Sequence, residues 1–305
     1  MDPARKRRAE SALFVLFASA CFALSGPLAR WARPTDPLLI AFGRLALAAL
    51  LLGAIEARAL GPALAGLTSR QRLTVLGAGA LLAAHFACFQ IGLDRTSLPA
   101  AVSLVSLEPL SVVLCAWVLL GMRPSRPEQI GVVVATAGAV LVARGEGKGE
   151  HRIAGDLLVL AAVALYGLYL TVARALKDAL PARSYAALVY ASAAVMLAFA
   201  LAVVPRDLGA ASIWPPPDRG IVAIAVIALV PTILGHTAVQ TASRTLPPAI
   251  VALVSPGETL GSLVLGAAFL HEIPAATEVA GALIILVGSA IAIFAPRPTA
   301  PLPAA

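Results

Sequence analysis

Charge is scarce in this chain. Of its 305 residues 13% are charged, whereas 60% are hydrophobic. A water-soluble domain of that makeup could not cover its surface with polar groups, so a soluble globular fold is excluded. Aromatic residues reach only 5%, and the net charge of +7 is scattered over short turns. No basic stripe with interleaved aromatics exists, which argues against nucleic acid as a partner. Cysteine is rare as well. Cys21, Cys88 and Cys115 each sit in an apolar run, without metal-ligand spacing or a disulfide framework, and read as small hydrophobes. A Walker sequence is missing, and so is any clustered acid/base set in the aqueous loops. An ATP motor is therefore disfavoured. An integral-membrane enzyme acting on lipid-linked substrates stands only as an alternative from a different class, and nothing calls for a cofactor.

What is abundant is apolar sequence in blocks of about twenty residues, the length that crosses roughly 30 Å of hydrocarbon as helix. The blocks fall at 11–30, 37–57, 72–93, 98–121, 127–143, 154–174, 184–204, 219–240, 247–270 and 275–295. Strict two-residue alternation is absent, which favours helices over an outer-membrane barrel. The basic Met1–Glu10 segment leads into a long apolar run with more spans behind it, so it reads as the start of the first anchor rather than a cleaved signal. The Lys/Arg bias, led by Arg5, Lys6, Arg7 and Arg8, predicts both termini in the cytoplasm. The segment Arg144–Arg152 weighs against it.

The chain also repeats itself. Residues 105–139 lie over 255–289 at a constant shift of 150, matching Glu108 with Glu258, Pro124 with Pro274, Glu128 with Glu278, Gly131 with Gly281 and Gly138 with Gly288. Five spans per half is an odd number, so the second half must enter the membrane facing the other way. The expected fold is an all-α membrane protein of ten transmembrane helices in two inverted five-helix repeats. These occupy 11–143 and 154–295, with a polar Gly-rich linker at 144–153 and a disordered Pro/Ala tail at 296–305.

The polar residues inside the spans are the candidate site. Glu108 and Glu258 lie near the centres of spans four and nine, where a bare carboxylate costs several kcal/mol. Each must face the interior, carry a proton or meet a donor. They read either as a proton or solute site at the repeat interface, or as protonated acids bonded to a neighbouring helix. Pro109, Pro256 and Gly257 predict disturbed helices beside them. His85 and Gln90 in span three superpose within one residue on His236 and Gln240 in span eight. Solute contact, proton handling and helix–helix hydrogen bonding are all open to them; ligand spacing for a metal is lacking. Tyr166 and Tyr169, with Ser25, are cavity-lining candidates. Arg44 is expected near a membrane face, either attracting an anionic group or anchoring the helix. Arg30 and Arg174 are expected to snorkel to opposite surfaces, and Tyr185 and Tyr190 to sit at an interface. The paired glycines read as packing positions, and Glu128 and Glu278 as first-turn acids that complement the helix dipole.

These residues resemble the drug/metabolite transporter superfamily, in its EamA branch of ten-span carriers. The likeness rests on Leu107-Glu108-Pro109, Trp117-Val-Leu-Leu-Gly121, Pro124 and Ile130-Gly131, then on Pro256, Glu258, Phe269-Leu-His-Glu272, Pro274 and Gly281. It implies a plasma-membrane carrier of small polar or amphiphilic solutes, often an exporter. Relatives include amino-acid exporters, sugar-nucleotide carriers and multidrug carriers. It also implies a cavity lined by spans one to four and six to nine. The chain departs from the pattern at Met122, where the family often has Glu, and at His271, where it has Gly. The function expected is secondary transport of small metabolites, with export of amino acids or related compounds leading and proton coupling as an option. Multidrug-type efflux or a facilitated carrier is the alternative. The oligomeric state is left open.

Overall fold

The computed structural model describes residues 3–121, 123–144, 153–173, 176, 179–203, 215–243 and 254–293. The linker residues 145–152 and the tail 296–305 lie outside that description. Among the described residues the regular structure is helical. Span one is α1 (Pro3–Ala23) and α2 (Ser25–Trp31); span two is α3 (Pro37–Ile55). A short helix, α4 (Ala57–Ala65), precedes span three, α5 (Ser69–Arg95). Span four is α6 (Leu98–Val105) and α7 (Glu108–Leu120), span five α8 (Arg126–Ala143), span six α9 (Ile153–Ala173) and span seven α10 (Ala182–Val203). Span eight joins α11 (Asp218–Ile227) through a π-helical stretch, Ala228–Gly235, to α12 (His236–Ser243). The described part of span nine is α13 (Val254–Phe269), and span ten is α14 (Ala276–Ile293). Among the described residues seven helices are long and apolar enough to cross a bilayer, and the 40° bent pair α6/α7 makes an eighth. With α13 and α14 the order agrees with ten spans.

Local chemistry fixes the ends. Asp36 accepts the Leu38 and Leu39 N–H groups at 2.8 and 3.1 Å to start α3, and Thr68 with Gln71 forms a capping box on α5. Ser125 and Glu128 do the same on α8. Glu278 reaches back to the Ala275 N–H at 2.8 Å on α14. Gly121 and His271, equivalent under the 150-residue shift, both adopt positive φ, 67° and 56°. The shift thus preserves a left-handed helix stop, and in the second copy a histidine bears the strain that glycine avoids.

The two halves are inverted. A Cβ added to Gly131 would come 2.6 Å from the Gly288 carbonyl, and one on Gly138 2.7 Å from that of Gly281. Gly131 is the repeat counterpart of Gly281, and Gly138 of Gly288. Each glycine of α8 therefore meets the counterpart of the other on α14. Such an exchange between antiparallel helices requires a two-fold axis across them, in the plane of the membrane. The same relation recurs inside: Ser111 of α7 packs on Gly167 of α9, as Gly261 of α13 packs on Ala23 of α1. Outward faces carry Leu50, Val118, Val133, Val195, Phe199, Val264 and Val287, which hydrocarbon accommodates at no cost.

Prolines break the spans, and hydroxyls repair them. A proline disrupts the bond to the carbonyl four residues back. In lipid that carbonyl needs another donor. Pro27 frees Ala23 O, which accepts Ser262 Oγ at 2.9 Å. Pro109 frees Val105 O, which accepts Ser255 Oγ at 3.1 Å. Pro231 frees Ile227 O, which accepts Thr232 Oγ1 at 2.9 Å. The first two donors come from α13, so they also tie the second repeat to the first. At Pro256 the expected disturbance does not appear downstream: α13 runs through Gly257 to Phe269, with the proline in its first described turn.

Gly138→Val places branched carbon against the backbone of α14. It is expected to lower stability by about 1–3 kcal/mol, measured as a fall in the thermal unfolding midpoint of the detergent-solubilised protein.

Candidate functional site

The breaks in spans one, four and eight deliver polar atoms to one interior cluster between the repeats. Arg44 belongs to it. Its position was expected near a membrane face. The structure instead buries it to 3% exposure, because α3 faces Ser25 at the α1/α2 break and Thr232 in the π-helical stretch. Nη1 donates to Ser25 Oγ at 3.2 Å, and Nε and Nη2 both donate to Thr232 Oγ1, at 3.2 and 3.1 Å. The guanidinium carbon lies 4.1 Å from the centroid of the Phe86 ring, a cation–π contact. Among the described residues no carboxylate comes within 4.0 Å of it. Glu258 is the acid in electrostatic range.

Glu108 opens α7 directly after the span-four break, and its Oε2 is 3.5 Å from Ser255 Oγ. Glu108 lies within electrostatic range of Glu258, so the two repeat-related acids belong to one cluster. Tyr166 lies within range of both acids and of Tyr190. Its ring centroid is 5.2 Å from that of His85 and 6.0 Å from that of Tyr169. His85 Nδ1 is 2.8 Å from Ala162 O. A carbonyl only accepts, so Nδ1 holds the proton and the neutral ring keeps Nε2 as its acceptor. His236, the partner from span eight, packs edge-on to Phe22 at 5.0 Å and lies 6.3 Å from Tyr190. It is within electrostatic range of Arg44 and His85.

The structure thus brings together Arg44, His85, Glu108, Tyr166, Tyr169, His236 and Glu258. It sets Gln90 apart. That amide is buried, its Nε2 has no partner among the described residues, and it lines a small pocket with Arg30, Thr35, Ile40 and Asp94. Gln240 lies on α12, with its side chain outside the described part. Two further expectations fail. Tyr190 is not interfacial but 3% exposed in the core, since α10 packs along α3 and α5. Arg30 does not snorkel. It is buried at one end of the bundle, 3.0 Å from Glu272, and also donates to Thr96 O. Glu272 Oε2 accepts the Leu98 N–H at 3.1 Å, Arg33 pairs with Asp94 at 2.8 Å and Thr96 donates to Asp156 at 2.7 Å. Both repeats are tied together at that end. At the opposite end Ser184 donates to Glu56 at 3.1 Å, and among the described residues no ion pair lies there.

Thr232 and Tyr190 went unrecognised in the sequence. The signal for Thr232 was its place one residue after Pro231, where a hydroxyl can reach the carbonyl the proline frees. Tyr190 gave none, because its distance from the helix start says nothing of which neighbour covers it.

Two stretches, 10–144 and 153–294, match the sequence model of the family described as "EamA-like transporter family". No curated protein matches the chain. Among solved structures, one described as "Crystal structure of protein" superposes with a TM-score of 0.65 at 16% identity, over 93% of this chain and 96% of its own. At that identity the likeness establishes the fold alone.

The Arg30–Glu272 pair is expected to act as a unit. A double-mutant cycle of Arg30→Gln and Glu272→Gln, read by thermal unfolding, should give a coupling of about 1–3 kcal/mol; additive losses would mean the two side chains stabilise the bundle independently.

Proposed function

The chain belongs to the EamA-like transporter family, and from that premise we propose that it exports small solutes carrying both an acidic and a basic group, amino acids and related compounds, from the cytoplasm by alternating access. Its setting is the plasma membrane with both termini inside. The observation that carries the solute class is the chamber's charge pattern. A buried guanidinium lies in range of Glu258 without touching it, and Glu258 lies in range of Glu108, so a solute whose acid meets Arg44 and whose ammonium meets the two acids completes the pattern. The aromatic walls, Phe22, Phe86, Tyr166, Tyr169 and Tyr190, exclude water around it and strengthen each polar contact.

Competition for an acid supplies the coupling. Arg44 lies in range of Glu258 and is the partner of the solute's carboxylate. Glu108 carries a proton when the site is empty, and the solute's ammonium displaces that proton when the site is full. Solute leaving and proton arriving then alternate on the same acid, which is proton antiport. The inverted repeats supply the movement, because each half can adopt the conformation of the other. With the N-terminus inside, the Arg30 end faces outward, and its ion pair to Glu272 supports reading that end as an outer closure. The aromatic walls also support the second reading, efflux of amphiphilic cations that need the acids but not Arg44.

Reconstituted in liposomes, the protein should give saturable amino-acid flux that accelerates under a pH gradient. Arg44→Gln should cut that flux by tenfold or more, on the order of one charge-assisted contact. Glu108→Gln should leave flux that no longer responds to the gradient. Undiminished flux in Arg44→Gln would favour the amphiphile reading, and no saturable flux at all would defeat both.

A further inference from the structure

Thr232 covers the Nε/Nη2 edge of Arg44. The Nε and Nη2 donors form the edge of a guanidinium that grips a carboxylate with two parallel bonds. In this chain both donors converge on the single oxygen Thr232 Oγ1, at 3.2 and 3.1 Å. That oxygen has its own hydrogen committed to Ile227 O at 2.9 Å, so towards Arg44 it is an acceptor only. It is fully buried. Its place follows from the sequence. Pro231 interrupts the α-helical ladder of span eight, the chain widens into the π-helical stretch Ala228–Gly235, and the residue after the proline turns its hydroxyl back to the freed carbonyl. One hydroxyl thereby satisfies a broken helix of the second repeat and caps a cation of the first.

We propose that Thr232 is a placeholder for the solute's carboxylate and the latch that its arrival releases. The inference rests on the reading of Arg44 as the acid receptor. A neutral hydroxyl is a weaker acceptor than a carboxylate and offers one oxygen where the carboxylate offers two. The incoming acid takes the Nε/Nη2 edge, and Thr232 lets go of span two. Among the described residues no other hydrogen bond then holds span eight to Arg44, at the point where its helix is already widened. Binding of the acid is thus converted into freedom of the π-helical stretch. The placeholder also keeps affinity moderate, because the hydroxyl competes for the same donors during release, as a carrier needs.

Two simple probes separate this from a structural role: propionate, which has the acid and nothing else, and propionamide, its uncharged isostere. Thr232→Val should bind propionate about three- to tenfold more tightly than the wild type, the range expected when one neutral competitor is removed from a charged donor pair. Propionamide binding should not change, and Thr232→Ser should return propionate binding to the wild-type value. Equal propionate affinity in wild type and Thr232→Val, or an equal shift for both probes, overturns the proposal. A second measurement needs no variant. Propionate should raise amide hydrogen exchange in Ala228–Gly235 of the wild-type protein, and unchanged or lowered exchange there counts against the latch. Arg44→Gln distinguishes the two levels of the account. If it leaves propionate binding intact, Arg44 is not the acid receptor and the functional reading falls. If it abolishes binding while Thr232→Val behaves as wild type, only the latch falls.

Discussion

A membrane interior has no water to satisfy a peptide carbonyl, and that constraint organises this protein. Three prolines inside the bundle, Pro27, Pro109 and Pro231, each disrupt a helical bond, and three hydroxyls, Ser262, Ser255 and Thr232, take up the freed carbonyls. Without those donors each break would leave a buried acceptor unpaired, at about 1–3 kcal/mol. With them, the breaks become the places where polar side chains enter the apolar bundle. Ser25 follows the first, Glu108 the second, and Thr232 lies in the third. The chamber is in this sense a consequence of where helices were interrupted.

Symmetry and its violations divide the labour. The glycine exchange between α8 and α14, and the α1/α13 and α7/α9 contacts, show one five-helix unit used twice in opposite senses. Such a pair gives a carrier two equivalent ways to close. The acids and histidines keep the symmetry: Glu108 with Glu258, His85 with His236. Arg44 does not, for the residues at shifts of 144 and 150 are Leu188 and Ala194. A single cation in range of Glu258 makes the cluster asymmetric, which the repeated fold alone would not. The ion pair at the Arg30 end also has no repeat counterpart, since the residue 150 before Glu272 is Met122.

Much of this was legible in the sequence, for identifiable reasons. Span positions follow from apolar block length, and inversion follows from an odd number of spans per repeat. Membrane depth could be read for Glu108, Glu258, His85 and His236, because depth depends on sequence distance from a span's end. Direction within the membrane plane could not. It depends on which helix packs opposite, so Arg44, Arg30 and Tyr190 were misplaced at surfaces though all three are buried. Gln90 shows the same limit: it shares a helix with His85 but lines a different pocket. The π-helical stretch was half visible. Pro231 announced a break, but the bond from Thr232 to Ile227 that shapes it depends on a carbonyl whose availability only the folded helix reveals.

The central claim is that the chamber recognises opposite charges on one small solute. Calorimetric titration of the purified protein with a matched set tests it most directly: an amino acid, its C-terminal amide, and its N-acetyl derivative. The account predicts that the zwitterion binds at least about tenfold more tightly than either analogue, because each loses one charge-assisted contact. Equal affinities for all three would contradict it.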